Sequence, residues 1–365
     1  MTGALFLALD VDGDGAHPAA WRHAGRPPGS VLGGAALRAV TADAENAGFA
    51  LVTFADSPVP PSCGPDAAGR IEAGTRAAFA STITDRIGLA PTLHVTTTEP
   101  FHLATQLASL DHASHGRAAW VVGAANGAVE RQTIGADPLP ADVLRREITD
   151  VIDVARSLWD SWEDDAVVKD VATGRYLDPA KVHHVDFTGA AFTVKGPLIT
   201  PRPPQGQVVV IAHDDTGVTD RADVVLVTGT DVASVGTEAA RVRRAGADLV
   251  VADVDVVLDA DIPASTRLAD LDAATPWPHT GRIRHVGPPA ELVALLRELA
   301  GVVDGVRLHP AVLASDLPVL AERVLPELAS AGLLLTPRAG DTLRTTLGLP
   351  RPANRFATTA ARETR

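Results

Sequence analysis

Cysteine, methionine and tyrosine are nearly missing from this chain, with one of each in 365 residues. A single Cys63 excludes an intramolecular disulfide and a cysteine-rich zinc site. It lies in the Pro/Gly stretch SPVPPSCGPDAAG, where an incidental thiol is a plainer reading than a nucleophile. Aromatic residues are only 4%, against 46% hydrophobic residues overall, so the core must be built from small and branched aliphatic side chains. Basic residues are outnumbered, 32 to 45, and the net charge of −13 argues against a nucleic-acid partner, whose phosphates require clustered Lys and Arg. No apolar run approaches the roughly 18 to 20 residues needed to span a bilayer, and the N-terminus lacks the basic segment and long apolar run of a secretory signal. The expectation is a folded, soluble, cytoplasmic protein with no membrane partner.

What the chain does have is alternation. Short Val- and Leu-rich runs recur, most with a helical segment behind them: Leu5–Leu9, ALVTFAD (50–56), GLAPTLHV, RAAWVVG, QVVVIAH, ADVVLVT, ADLVVADVDVVL and VDGVRLHP. Helices are expected over about 32–47, over RIEAGTRAAFASTITDR, and over about 99–114 and 140–162. Eight such units imply a parallel sheet with right-handed crossovers, closed as a (β/α)8 TIM barrel of the α/β class. An open doubly wound sheet is the alternative, but no G-x-G-x-x-G follows the first strand, so dinucleotide binding has little support.

Two segments break the rhythm. About 164–206 reads as an inserted excursion with a hairpin in VHHVDFTGAAFTVKGP, and long insertions in barrels tend to build or cover the active site. After QVVVIAH the connection DDTGVTD is too short for a crossover helix, which shortens the second half of the barrel. The division expected is one barrel domain over 1–349 and a mobile or surface-draped extension over 350–365.

The first strand ends in Asp10-Val-Asp12-Gly-Asp14-Gly15, which opens like a calcium-binding EF-hand loop. Such a loop needs Glu at its twelfth position, and counting from Asp10 that position is Trp21. The acids are therefore read as a turn at a strand end. A divalent metal held by Asp10, Asp12, Asp14 and Asp214 is kept only as a remote reading, and no metal ligands are assigned.

Several stretches together resemble the luciferase-like flavin monooxygenases, in the branch of the nitrilotriacetate, dibenzothiophene-sulfone and pristinamycin monooxygenases. They are HPAAWRHAG, LVTFAD, GRIEAGTRAAFASTITDRIGLAPT, TTTEPFHLATQLASLDHASHGRAAWVV, the run from LWDSWEDD to PRPPQG, and at the end ERVLPELASAGLL and DTLRTTLGLPRPANR. The similarity covers residues 17–206 and 287–355. It implies a TIM barrel that uses reduced FMN, supplied by a separate flavin reductase, to put one oxygen atom into a small organic substrate; relatives form homo-oligomers. It places Asp56 beside the flavin ring, and His94 and Thr96 at the end of the third strand facing the pocket. His102 falls in the family's third helix. Trp21, Arg22 and His23 border the substrate cavity, with Arg22 placed to meet an anionic substrate. His23, His94 and His102 are the candidate catalytic histidines.

The chain departs from this pattern at the flavin itself. Val121 stands where most relatives place an amide-bearing Asn, and Leu144 and Arg145 replace an Arg-Tyr pair whose tyrosine holds the phosphate. Asp214, Asp215 and Thr216 stand where a Gly-Ser-Ser turn opens a helix in relatives. Arg145 and Thr216 become the candidate phosphate ligands, against two carboxylates that would repel a phosphate. Two readings compete: an FMN-dependent monooxygenase with an altered phosphate grip, and a barrel that has lost flavin binding and serves as a binding or partner subunit.

Overall fold

Each of the eight apolar runs forms a strand: β1 (Leu5–Val11), β2 (Leu51–Phe54), β3 (Gly88–His94), β4 (Ala119–Gly123), β5 (Val209–His213), β6 (Val224–Val227), β7 (Leu249–Leu258) and β8 (Gly305–Pro310). The computed structural model describes residues 3–60 and 69–357, so Cys63 lies outside them. Every strand pairs in parallel with its sequence neighbours, and β8 pairs with β1, so the sheet closes into an eight-stranded barrel. Two short strands lie off the ring: Ile283–Gly287 beside β7 and Leu334–Leu335 beside β1.

The helices follow as α1 (Gly34–Ala47), α2 (Ala73–Ser81), α3 (Pro100–Ala113), α4 (Ala141–Trp159), α5 (Val232–Arg244), α6 (Ala264–Ala274), α7 (Pro289–Leu299) and α8 (Leu313–Val319). Acidic caps set three of the starts: Glu72, Glu99 and Asp231 accept from the first free backbone N–H groups of α2, α3 and α5. Between β5 and β6 there is no crossover helix, only the 3-10 turns Asp214–Thr216 and Thr219–Arg221. The ten residues between His213 and Val224 have no room for more.

Alternation along the strands divides the core in two. Leu5, Leu7, Leu9 and Val11 of β1 join the layer between strands and helices, with Trp120 of β4 and Trp159 of α4. Trp159 is fully buried and donates Nε1–H to Ala104 O at 3.0 Å, a packing role. Phe6 and Ala8 point into the lumen, where they meet Leu51, Val121, Ile211, Leu226 and Val251. The lumen is closed at the amino end by Leu343, Leu347 and Leu349 around the short helix Leu343–Thr346.

The excursion after α4 holds two small hairpins, Val167–Asp170 with Arg175–Leu177 and Phe187–Thr188 with Thr193–Val194. It leaves from the carboxyl end of α4 and returns to the amino end of β5, which is the floor of the barrel and not its mouth. From there it runs back along α4, where Ala190 N donates to Asp150 at 2.7 Å. The expectation that the insertion covers the site is thus met at the wrong end of the barrel. Residues 351–357 drape over the same region: Arg351 pairs with Asp164, Asn354 donates to Asp160 O and Trp162 O, and Phe356 stacks on His183 at 4.7 Å. Among the described residues no helix is long and apolar enough to cross a membrane.

Because Leu343 is buried and closes the lumen, Leu343→Ala is expected to cost about 2–5 kcal/mol of stability. Denaturant unfolding measures it, and a loss under about 1 kcal/mol would show that the floor plug is dispensable.

Candidate active site at the barrel mouth

The lumen changes character towards the carboxyl ends of the strands. β7 and β8 place Asp253 opposite Arg307 and Asp255 opposite His309, and β1 places Asp10 opposite Thr53 of β2. Arg307 donates to both oxygens of Asp253, at 2.6 and 2.7 Å. His309 stands between two acids, with Nε2 3.1 Å from Asp253 and Nδ1 3.3 Å from Asp10. Asp10 also accepts from Thr53 Oγ1 at 2.5 Å. Asp255 accepts from Thr280 at 2.9 Å and pairs with Arg282 at 3.1 Å and Arg284 at 3.5 Å.

A ring with a carboxylate at each nitrogen donates at both, so His309 is an imidazolium. Burial alone would lower its pKa, but Asp253 and Asp10 outweigh burial and raise it above the ordinary histidine value. Burial likewise disfavours the ionised acids, and here His309 and Arg307 prevail, holding Asp10 and Asp253 well below the usual carboxylate range. His213, ending β5, is the opposite case. Burial first and then the Arg307 guanidinium, 3.2 Å from its Nε2, push its pKa down to about 4, so it is neutral and accepts from Arg307.

The open space lies to one side of this network. A cleft of about 390 Å³ is bounded by Asp56 at the end of β2, Thr92 and His94 of β3, and Ser57, Pro58, Thr97 and Thr98. A second cleft of about 630 Å³ adjoins it, sharing Ser57, Val59 and Arg70, and lies between the loop after β1, α1 and α8.

The structure brings Asp56 and His94 together on one wall. Asp56 accepts from Ser57 N at 2.8 Å and from Ala73 N at 2.7 Å, tying β2 to the start of α2. His94 has Nε2 3.1 Å from Asp56 O, and its Nδ1 accepts from Ala125 N at 3.1 Å, which fixes the neutral tautomer with the proton on Nε2. Gly123 is required beside it, since a Cβ there would collide with the imidazole. Thr96 donates to Ala125 O at 2.9 Å. Val121 faces the lumen, paired in register with Thr92 of β3, which lines the cleft.

Trp21 lines the second cleft, with the exposed Arg22 guanidinium 5.7 Å from its ring. His23 is drawn away to Asp270 of α6 at 2.8 Å. The His102 side chain is exposed in the first turn of α3 and makes no hydrogen bond or ion pair among the described residues. The acids of the opening motif diverge: Asp10 goes to Thr53 and His309, Asp12 to Arg70 at 3.0 and 3.1 Å, and Asp14 to Arg26 at 2.8 and 2.5 Å. Among the described residues no group of three His, Cys, Asp or Glu side chains is arranged to hold a metal.

At the end of β5, Thr216 donates to His213 O at 2.5 Å, and Asp214 pairs with Arg241 of α5. Burial raises the Asp214 pKa against that arginine. Arg145 of α4 lies against Gly217, whose backbone φ of +71° lets the turn close there. Its guanidinium forms no ion pair among the described residues, so the turn carries an unmatched cation next to a carboxylate already neutralised.

The family model described as luciferase-like monooxygenase matches residues 15–274, more than half of the chain. The chain belongs to the luciferase-like monooxygenase family. A pristinamycin IIA synthase component from Streptomyces pristinaespiralis is 34% identical over 336 residues, covering 92% of this chain and 96% of that protein. The N-acetyl-S-(2-succino)cysteine monooxygenase of Bacillus subtilis is 26% identical over 96% of this chain and 98% of its own length. Among solved structures, riboflavin lyase with modified FMN and riboflavin superposes with a TM-score of 0.83 at 22% identity, covering 96% of this chain and 97% of that one. The TIM barrel and the family resemblance stand together, and the family is one of monooxygenases.

The lumen network of this luciferase-like chain is what sequence reasoning missed. Its signal was there: VADVDVV carries acids two residues apart, and GVRLHP carries Arg307 and His309 two apart, inside strands that are otherwise continuously apolar. Charges at period two in a strand share one face, and when that face is buried they need partners on the neighbouring strand.

The His309 pairing has a pH signature. Its raised pKa means that the folded state holds the proton more tightly, so the contribution is complete below about pH 6.5, the unfolded histidine value, and is lost as pH rises through the folded value. Unfolding free energy is expected to fall with rising pH above about 6.5 in the wild type and to fall less in His309→Gln, which is about 3–5 kcal/mol less stable at about pH 6. Equal pH slopes in the two proteins would overturn the assignment.

Proposed function

We propose that the chain is the oxygenase component of a two-component system, taking reduced FMN from a separate reductase and using O2 to oxidise a small organic substrate. The observation that carries this reading is the cleft at the carboxyl ends of β2 and β3, walled by Asp56 and His94 where catalytic faces of such barrels lie. The residues suit the group. Asp56 spends two acceptor sites on backbone N–H groups and retains lone pairs for a ring N–H. The unpaired guanidinium of Arg145 beside Gly217, with Asp214 neutralised by Arg241, offers charge for a phosphate, whereas the Thr216 hydroxyl in the same turn gives its proton to His213 O and is no free donor. Reduced FMN, when bound, supplies the electrons that activate O2.

The protein's own tasks in this reading are positioning and the exclusion of water. His94 is held by backbone at both nitrogens and acts as a fixed wall, and His23 is engaged by Asp270. Of the three candidate catalytic histidines, His102 alone has both ring nitrogens without a partner among the described residues, but it lines neither cleft. The proposal sets the protein in the cytoplasm as a homo-oligomer, which light scattering would check.

A second reading is favoured by one feature. Val121 offers no hydrogen bond and Asp215 is an exposed carboxylate, a combination suited to a partner subunit that leaves the flavin to another chain.

Titration with FMN and with photoreduced FMN separates the two. The first reading expects the reduced form to bind in the micromolar range, on the order of −8 kcal/mol, and Arg145→Ala to weaken it at least about tenfold. No detectable binding of either form would refute it in favour of the second, and an unchanged affinity in Arg145→Ala would remove the phosphate role.

A further inference from the structure

The larger cleft has a composition that the flavin reading leaves unused. Its walls are hydrocarbon: Trp21, Val31, Leu37 and Val40 on one side, and Leu317 of α8 on the other. At about 630 Å³ it lies within the roughly 300–1,000 Å³ of small-molecule sites. Two of its carboxylates are already matched, Asp12 by Arg70 and Asp14 by Arg26.

Arg76 is the exception. It lines the cleft, is only 7% exposed, and bonds solely to carbonyl oxygens among the described residues, Val11 O at 3.1 Å and Ala55 O. Its Nε is buried without a hydrogen-bond partner, and no carboxylate pairs with it among the described residues. A buried cation held by two carbonyls and the Phe54 ring 5.7 Å away, with one donor unmet and no carboxylate, is costly. Burial lowers its pKa, against the more distant Asp12 and Asp56. An anion entering the cleft would supply the missing charge at the edge of the guanidinium that lines it, while the walls would take an apolar body.

We infer that this cleft is the substrate site and that it takes an amphipathic monoanion, a hydrocarbon or aryl body ending in one carboxylate, with the acid at Arg76 and the body against Trp21 and Leu37. Because the two clefts share Ser57, Val59 and Arg70, such a ligand lies next to the Asp56 and His94 wall. That the bound acid is the substrate rests on the monooxygenase reading; that it binds does not.

Calorimetry on the full chain without flavin or reductase, using octanoate, octanol and octylamine, tests the site. Octanoate is expected to bind at least about tenfold more tightly than octanol, and octylamine more weakly than either. Leu37→Trp should fill the cleft and lower octanoate affinity at least about tenfold. Arg76→Met should abolish the preference for octanoate over octanol, and Arg76→Lys should retain part of it. Equal binding of octanoate and octanol by the wild type, no binding of any probe at millimolar concentration, or octanoate binding untouched by Leu37→Trp would each overturn the proposal, whether or not Arg76→Met folds. Since flavin is absent from the assay, a null here leaves the flavin titration standing, and a failed flavin titration leaves this binding standing.

Discussion

Asp253 accepts from Arg307 through both oxygens and faces His309, at the centre of a lumen from which water is excluded. A carboxylate so deeply buried survives only with cations and donors around it, because its desolvation costs several kcal/mol. Strand register supplies them. Parallel pairing sets Arg307 across from Asp253, so closure of the barrel and neutralisation of the charge are the same event. His309 then carries the network across β8 to Asp10, and Asp10 to Thr53 of β2. With His213 of β5 accepting from Arg307, five of the eight strands are bound through their side chains by one polar chain.

This has consequences for where anything can bind. The third of the mouth formed by β7, β8 and β1 is occupied by mutually satisfied charges, and the open volume is left beside β2 and β3 and outside β1. The missing helix between β5 and β6 acts on the opposite side. Without it there is no row of helix N-terminal N–H groups at Asp214 to hold an anion, and charge at that edge depends on side chains, Arg241 for the carboxylate and Arg145 for whatever lies beyond Gly217.

The barrel was legible because the eight strands are largely buried on both faces and therefore appear as mainly apolar runs, and because three helix starts carry acidic caps. The absent crossover helix could be read from the shortness of the connection DDTGVTD. The position of Asp56 and His94 on one wall was legible from their places at strand ends. Partnerships were not. His23 to Asp270, Asp214 to Arg241 and Asp12 to Arg70 join residues on separate elements, and nothing in local composition encodes which arginine reaches which acid. The excursion over 164–206 was found as an insertion and assigned to the wrong end, because its length was weighed without the rule that a helix-to-strand connection leaves from the floor.

Arg76 shows why satisfaction, more than residue type, locates a site. Arg307 and Arg76 are equally arginines in buried surroundings, yet the first is closed by a bidentate carboxylate and the second ends on two carbonyls with a donor to spare. Folding has no reason to leave a buried guanidinium in that condition when acids as near as Asp12 are committed to a neighbouring arginine. The unpaired charge and the hydrocarbon walls occur in one cavity, beside the face where oxygen chemistry belongs. A ligand that answers both at once is defined by chemistry before any candidate molecule is considered.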